Sequence, residues 1–528
     1  MTQQVYRGNL SAKSFPFLTD FQGQTVIMQG NDNTFSRYLT SAVADKDLGM
    51  PVVFYMHNCI PGSYGFQSVG YDLEIPPLSP TQLATQFTSA IVLFSNVLGT
   101  STNGPLFYFA PKSDGTHYTY VLGTAVWQAI SNSVPYTPGL EISYATVQGI
   151  SYIFFPGIGC YKWDSVLNQL ISVTLTALTI SGILGITAYQ GYMVAYNEDS
   201  VYWSSTLDID PTTNSVDFTP SLVTGAGNIN PEGARGPITC VLPSTFGMAV
   251  YTTDNIVSAV YSGNSRYPFN FKQVVSSGGL SSQNLVAYNA NTGNHYAYTT
   301  AGFQEVTATN TTTCFPDMTD FLAGGTLEDF DESTMTFTQT QLTLPMVKRI
   351  AGIAERYFVV SYGISSLTHA IIYDMTQERF GKVKIDHVCC FEYQYLKPSL
   401  SDAPRKSIAF LQADGTVYIL NPEVNNPDSA GVFIWGKFQY VRSRLTTMEE
   451  VRIQQVGTQQ SATLWNFYTT TSGTLQSCSA EQLYDATPDD ETVKVFKTHR
   501  SAKSHTFCLV GGFNINSYEL VFHNHGRR

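Results

Sequence analysis

The stretch that most constrains this chain is Gly185–Ser205, GITAYQGYMVAYNEDSVYWSS. It reads as strand, a tight turn centred on Gly191, strand, an Asn-Glu-Asp turn, and strand again. Short β-branched and aromatic runs split by Gly, Asn and Asp form meanders of antiparallel strands. Three or four such strands make one blade of a propeller.

The unit recurs along the sequence. Leu106–Phe109 and Tyr118–Val121 form a hairpin across Ser113-Asp114-Gly115. Ser151–Phe155 leads through Gly157-Ile158-Gly159 into Cys160–Trp163. After the Gly185–Ser205 stretch come Ile238–Val241, Gly247–Tyr251 and Ile256–Val260. Leu285–Tyr288 faces Tyr296–Tyr298 across Thr292-Gly293-Asn294. Tyr357–Tyr362 with Ala370–Tyr373, and Ser407–Leu411 with Val417–Leu420 across Asp414-Gly415, complete the series. About seven copies at roughly 35 to 65 residue spacing bracket blade periods of about 40 to 50. The expectation is an all-β fold, with a β-propeller of six to eight blades over residues 101–430.

Composition agrees with strands. Only 13% of the 528 residues are charged, against roughly a quarter in ordinary domains. Thr, Ser, Asn, Gln, Gly and 32 Tyr take their place. Helix surfaces want Lys and Glu, whereas strand surfaces accept uncharged polar residues. Turns are supplied by 41 Gly and 24 Pro.

The two ends differ from the middle. Residues 1–100 read as an N-terminal arm and platform strands, with Val52–Met56 and Ala90–Phe94 as strands around a turn-rich Ile60–Gly65. Pro76, Pro77 and Pro80 break any helix there. Thr81–Asn96 is the best helix candidate in the chain, though a strand fits it equally. From Gly431 onward, Val432–Trp435, Glu450–Ile453, Leu464–Tyr468, Val493–Phe496, Phe507–Val510 and Tyr518–Phe522 read as six closely spaced strands. That density suggests a β-sandwich-like module over 431–528, packing with the N-terminal part. Charge divides at the same place. Residues 431–528 hold ten Lys/Arg and eight Asp/Glu, against 18 and 32 in the part before. Of the net charge of −12, the part before residue 431 therefore carries −14 and the last module +2, which places the acidity on the propeller.

The chemistry-bearing residues form no catalytic pattern. No nucleophile elbow, phosphate-binding loop, HExxH or strand-borne GxGxxG is present. Eight cysteines are scattered without a CxxC, which suits buried reduced thiols made in the cytosol. The N-terminus lacks the basic and apolar pattern of a secretion signal. The long uncharged run between Asp164 and Glu198 is interrupted by polar residues, so buried strands fit it better than a membrane span. Glu328, Asp329, Asp331 and Glu332 lack calcium-loop spacing and read as a solvated loop. Asp208, Asp210 and Asp217 read as turn formers, and His295 as a strand residue. No cofactor or metal is expected. Lys437, Arg442, Arg444, Arg452, Lys494, Lys497, Arg500 and Lys503 gather in the last module. They suit contact with nucleic-acid phosphates, a docking contact with another subunit, or a merely solvated face. Alternation places Arg442 and Arg444 on one side of an extended run.

Five segments resemble the tail hub or nozzle proteins of short-tailed bacteriophages. Ile60–Tyr71, IPGSYGFQSVGY, resembles the family's entry strand. Ile186–Phe218 resembles its blade with a W-S…D-P…D-F outer loop. Ile238–Val306, with VYTTDNIVSAVYSG, SSGGLSSQNLVAYN and AYTTAGFQEV, resembles the next blade pair. Lys348–Lys384, with RYFVVSYG and AIIYDMTQERFGKV, resembles the variable loop followed by Tyr-Asp and a short aromatic strand. Phe438–Gly457 with Phe507–Phe522 resembles the closing module. The resemblance implies a non-enzymatic virion protein, a homohexameric ring below the portal and adaptor. It would meet portal-proximal proteins and tail fibre or needle proteins, and its lumen would pass double-stranded DNA. Two other classes stay open at this point: a carbohydrate-binding or carbohydrate-cleaving propeller, and a non-viral scaffold.

Overall fold

The computed structural model describes residues 3–9 and most of 53–524. Outside the described residues lie 10–52, 95–105, 396–404, 422–430, 439–444, 457–461, 486–490 and shorter stretches.

Among the described residues, seven four-stranded antiparallel units follow one another along the chain. Blade 1 runs from Ile91–Phe94 to Gln128–Ala129, and blade 2 from Ser143–Val147 to Gln169–Thr176. Blade 3 runs from Gly185–Tyr189 to Gly227–Ile229, blade 4 from Ile238–Ser244 to Phe269–Val274, and blade 5 from Val286–Asn289 to Thr311–Thr313. Blade 6 runs from Val347–Ile353 to Arg379–His387. Blade 7 has Cys389–Tyr395, Arg405–Leu411 and Val417–Asn421, and borrows Gly70–Ile75 as its fourth strand. Each hairpin read from the sequence falls within one blade. Tight turns follow local chemistry: Gln190 and Gly191 both have positive φ, at 49° and 83°, as a two-residue I′ hairpin loop requires.

Apolar wedges fill the gaps between neighbouring blades. Phe109 and Ile130 meet Ile153 and Phe155 between blades 1 and 2. Phe154 and Ala145 meet Ile186 and Met193 between blades 2 and 3. One cluster runs from Trp203 through Val250 to Ala297, across blades 3 to 5. Phe303 meets Phe358 between blades 5 and 6, and Val359 meets Phe410 between 6 and 7. Each large side chain buried in this way contributes about 1.5–3 kcal/mol.

Ring closure depends on the borrowed strand. Gly70–Ile75 pairs with Val417–Asn421 in antiparallel register, from Asn421↔Gly70 to Val417↔Ile75. The Tyr393 hydroxyl donates to Glu74 on that strand (2.8 Å) and contacts the Tyr120 hydroxyl of blade 1 (2.9 Å). Trp127 of blade 1 donates its indole N–H to the Gly415 carbonyl of blade 7 (2.7 Å). One sequence expectation is corrected here and one open alternative is resolved as a strand. The propeller does not begin at 101, because 70–75 and 91–94 are both strands of its sheets. The helix candidate Thr81–Asn96 contains the strand Ile91–Phe94, since its β-branched end finds a ladder partner in Leu106–Ala110.

The remaining strands from both chain ends make two facing sheets. One holds, in order, Val53–His57, Gly431–Phe438, Ser504–Gly511, Ala462–Thr469 and Leu475–Ser479. The other holds Cys59–Pro61, Phe66–Ser68, Asn514–Asn524, Thr446–Val456, Glu491–Ala502 and Glu481–Asp485, with Gln3–Asn9 laid on Asn514–Asn524. Met56, Phe433, Trp435 and Leu464 of the first sheet pack on Val451, Ile453, Phe496 and Ile515 of the second. The second sheet does not stop at the sandwich. Cys59 registers on Lys382 of blade 6, so blade and sandwich are one eleven-stranded sheet.

Closure can be tested at Tyr393. Tyr393→Phe strips the hydroxyl that joins Glu74, blade 7 and blade 1, and should cost about 1–2 kcal/mol of stability. An unchanged denaturant midpoint would show that the hydroxyl network is dispensable.

Candidate functional site

Among the described residues, the cations of the last module do not converge. Arg442, Arg444 and Lys503 lie outside the described residues, and Lys437 is on the strand Gly431–Phe438. Arg452 donates through Nε and a terminal nitrogen to Glu450 Oε2, at 3.1 and 2.9 Å. Lys494, Lys497 and Arg500 share the strand Glu491–Ala502. Lys494 is buried on the same inward face as Phe496 and Thr498, and registers on Asp485. Lys497 registers on Glu450 and Glu481. Arg500 is exposed at the far end, where it bonds the Cys478 sulfur. A phosphate track needs cations along one face. Here, among the described residues, they split between two faces, and three of them sit beside or in register with carboxylates.

A second polar cluster lies where blade 6 meets the sandwich. The acidic run expected to be a solvated loop is in fact mostly the strand Thr326–Asp331, hairpinned to Thr336–Gln341. Asp329 Oδ1 accepts from His369 Nε2 (3.1 Å), and Oδ2 pairs with Lys384 Nζ (3.0 Å). The Thr368 hydroxyl bonds His369 Nδ1 (2.8 Å), which suits a neutral ring protonated at Nε2. Beneath them Lys382 Nζ lies 5.3 Å from the centre of the Tyr55 ring, and the Tyr55 hydroxyl contacts His57 Nδ1 at 3.3 Å. Burial opposes ionisation of Asp329, but His369 and the two lysines outweigh it and hold the carboxyl well below its usual range. Burial, with Lys382 adding to it, pushes His57 down to about 3. Burial also takes His369 down to about 4 despite the Asp329 bond. His369 and Lys384 lie far from the acidic run in sequence, so no local signal marked the pairing.

Other buried histidines are structural in the same sense. His117 Nε2 meets the Val134 carbonyl at 2.9 Å, with its ring stacked on Phe155. His295, on the strand expected for it, bonds the Tyr251 hydroxyl and the Pro243 carbonyl, both at 2.7 Å. His387 contacts Ser361 Oγ at 2.8 Å, and Ser361 in turn lies 3.7 Å from Cys390 Sγ. That serine–histidine pair has nucleophile–base geometry. It is sealed between blades 6 and 7, with Ser361 fully buried and His387 nearly so. Burial holds His117, His295 and His387 at about 4. Asp217 caps its own turn by accepting from the Thr219 amide and hydroxyl, at 2.9 and 2.6 Å. Asp208 lies outside the described residues, and Asp210 is on the strand Ile209–Asp210. Among the described residues no three His, Cys, Asp or Glu side chains converge as metal ligands. All eight cysteines are free, six of them buried. Among the described residues no helix is long and apolar enough to cross a membrane.

The propeller axis is bridged at one mouth. Glu141, just before blade 2, accepts from Ser282 Oγ (3.2 Å) and from Asn284 Nδ2, just before blade 5. Gln283 Nε2 donates to the Ile142 carbonyl (3.3 Å), and Tyr196 of blade 3 donates to Gln283 Oε1 (3.4 Å). Blades 2 and 5 stand three places apart in a ring of seven, so direct bonds between their entry segments cross the central axis. Tyr144 lies just inside, on the innermost strand of blade 2. Its ring is half-exposed.

No family model matches this chain, and no curated protein does. Among solved structures it is similar to the β-propeller domain of Cps50 (Swd1) from Myceliophteria thermophila, with 10% identity and a TM-score of 0.38 over 66% of this chain and 99% of that one. It is also similar to the WD40 β-propeller domain of Doa1, with 8% identity and a TM-score of 0.36 over 67% and 98%. The assignment of a propeller rests on the seven sheets and their closure.

Two measurements probe these clusters. In the unfolded chain these five histidines, four buried and His57 partly so, take up protons near 6.5, whereas the folded chain resists until about 3 to 4. The unfolded state therefore binds more protons in that window, and stability should fall as pH drops from about 6.5 to about 4. A melting temperature flat across this range would contradict the burial of these rings. Asp329→Asn leaves Lys384 and buried His369 without their anion, and should cost about 1–3 kcal/mol in chemical denaturation.

Proposed function

We propose that this chain is a structural virion protein, the tail nozzle or hub of a short-tailed bacteriophage. In this reading its copies form a ring, six in the family it resembles, below the portal and adaptor, and the ring is a conduit for DNA at infection. The observation that carries the proposal is the fusion of two bodies through one sheet. Strands from both chain ends build a sandwich that is continuous with blade 6. A subunit of this kind has a fixed angle between its two parts, which is what a ring wall needs and a mobile enzyme lid does not.

The site geometry supports the reading in two further ways. The propeller's own axis is bridged by Glu141, Ser282, Gln283 and Asn284, so the DNA path is the shared axis of the ring and not the hole in each propeller. A duplex carries one negative charge per about 1.7 Å, and each phosphate neutralised by Lys or Arg adds affinity through counterion release. A wall that lets DNA slide should present few free cations. The part before residue 431 has 18 Lys/Arg against 32 Asp/Glu, and Arg452 is already paired with Glu450. Low charge with abundant Tyr also suits extended subunit interfaces, whose cores are poor in charge and rich in aromatics. The remaining cations of the last module serve docking to neighbouring acidic tail proteins.

The proposal predicts rings with a central channel in negative-stain images of the purified protein. It predicts weak DNA affinity with a small salt slope, because few phosphates are neutralised. Tight DNA binding that persists at high salt would point instead to an anchoring or packaging role. Release of reducing sugar from bacterial polysaccharide, abolished by replacing one Asp or Glu, would favour a carbohydrate-cleaving propeller.

A further inference from the structure

The strand Asn514–Asn524 is the meeting point of the sandwich's second sheet. Thr446–Val456 covers one of its edges along nearly its whole length, from Thr446↔Asn524 to Gln455↔Ile515. The other edge is covered in two pieces by two different segments. Phe66–Ser68 reaches only Asn514 and Ile515. Beyond it, Gln3–Asn9 takes over, from Asn9↔Ser517 to Gln3↔His523. Without that second piece, Ser517–His523 is an open row of backbone donors and acceptors, which is a ready template for another strand.

Gln3–Asn9 is an unusual piece of this sheet. Its one ladder partner among the described residues is Asn514–Asn524, whereas the other strands of the sandwich's second sheet continue directly from neighbours in the sequence or pair on both sides. The next described strand is Val53–His57, which belongs to the opposite sheet of the sandwich. Residues 10–52 separate the two. A connector of that length reaches up to about 140 Å when fully extended, far more than the few strand spacings between its ends. Loop-closure cost rises only with the logarithm of length, so a donor on so long a connector pays little more to reach a neighbour's edge than its own. The ladder is the same in either case, because the acceptor edge is identical on every copy.

We infer that Ser517–His523 is an acceptor edge for the Gln3–Asn9 strand of an adjacent copy of this chain, exchanged around the ring. The inference rests on the ring reading above. Each copy donates one strand and accepts one, so a closed ring leaves no edge open and no donor unused. Recognition is strand addition: main-chain bonds supply the affinity, and the register from Gln3↔His523 to Asn9↔Ser517 supplies the alignment. The exchange ties neighbours by backbone pairing, and so needs neither a large apolar patch nor complementary charge at the contact.

The test uses full-length chains carrying two different tags, one with Val5→Cys and the other with Val521→Cys, since these positions face each other in the ladder. The two are co-expressed and treated with a short bis-maleimide, with wild-type chains as the control for the eight native cysteines. The expected result is a covalent product containing both tags, absent when either variant is paired with wild type. A chain carrying both substitutions should then give a ladder of linked multimers. If the doubly substituted chain links only within itself while sizing shows a ring, the exchange is overturned and the ring reading stands. If the protein remains monomeric at every concentration and links only within itself, both are overturned.

Discussion

One ladder holds the propeller together, the pairing of Gly70–Ile75 with Val417–Asn421. Five blades are built from consecutive strands, and a sixth, blade 3, skips only Ile209–Asp210 and Ser215–Asp217, which join the sheet of blade 2. The seventh has three consecutive strands and an open edge until the early segment arrives. A ring of wedges is stable only when every wedge has two neighbours, because each apolar interface buries one face of two sheets. Losing the borrowed strand therefore exposes more than one edge. It also loosens the Tyr393, Trp127 and Phe87 packing between blades 7 and 1. The same early segment goes on to feed the sandwich through Cys59–Pro61 and Phe66–Ser68, so ring closure and sandwich docking are consecutive uses of about twenty residues of chain.

The blades were legible because their instructions are local. Tyr189-Gln190-Gly191-Tyr192 specifies its turn through backbone angles that Gly tolerates and through flanking residues that pair directly, Tyr189 on Tyr192. The same holds for the hairpins of the other blades. What the sequence did not disclose is what joins segments far apart. Gly70–Ile75 looks like any short strand, and nothing in GYDLEI names Val417–Asn421 as its partner. The run Ala90–Phe94 was ambiguous for the same reason. An apolar tetrapeptide fits helix or strand until a neighbouring ladder decides. Blade number followed from counting hairpins only once the early strand was known to complete a blade rather than to begin a separate body.

The polar clusters were harder to read than the blades. Asp329 sits in an acidic run whose composition suggests solvent, yet two residues of blade 6 convert it into a half-buried anchor. Isolated histidines such as His117, His295 and His387 carry no motif. Their roles come from burial and from carbonyl, hydroxyl or amide partners on both ring nitrogens, most of them supplied by tertiary contacts. Charge counting placed the cations correctly in the last module but not their balance. Alternation along a strand puts Arg452 beside Glu450, and cross-strand register puts Lys497 opposite Glu450 and Glu481. Register is a property of the assembled sheet, and a single strand's sequence does not contain it.

The sheet that runs unbroken from the innermost strand of blade 6 to Glu481–Asp485 has a mechanical meaning. Its ladders lie side by side, so a pull along Asn514–Asn524 loads the adjoining ladders in shear, many bonds at once, instead of peeling them one by one. Blade 6 then acts as the root of a cantilever. Force arriving at the sandwich passes through Cys59–Pro61 into the propeller, where the wedge-shaped interfaces convert it into compression between neighbouring blades. The one register pair that carries the sheet across this junction is Cys59↔Lys382, so on the proposed reading the strain of genome release would concentrate there.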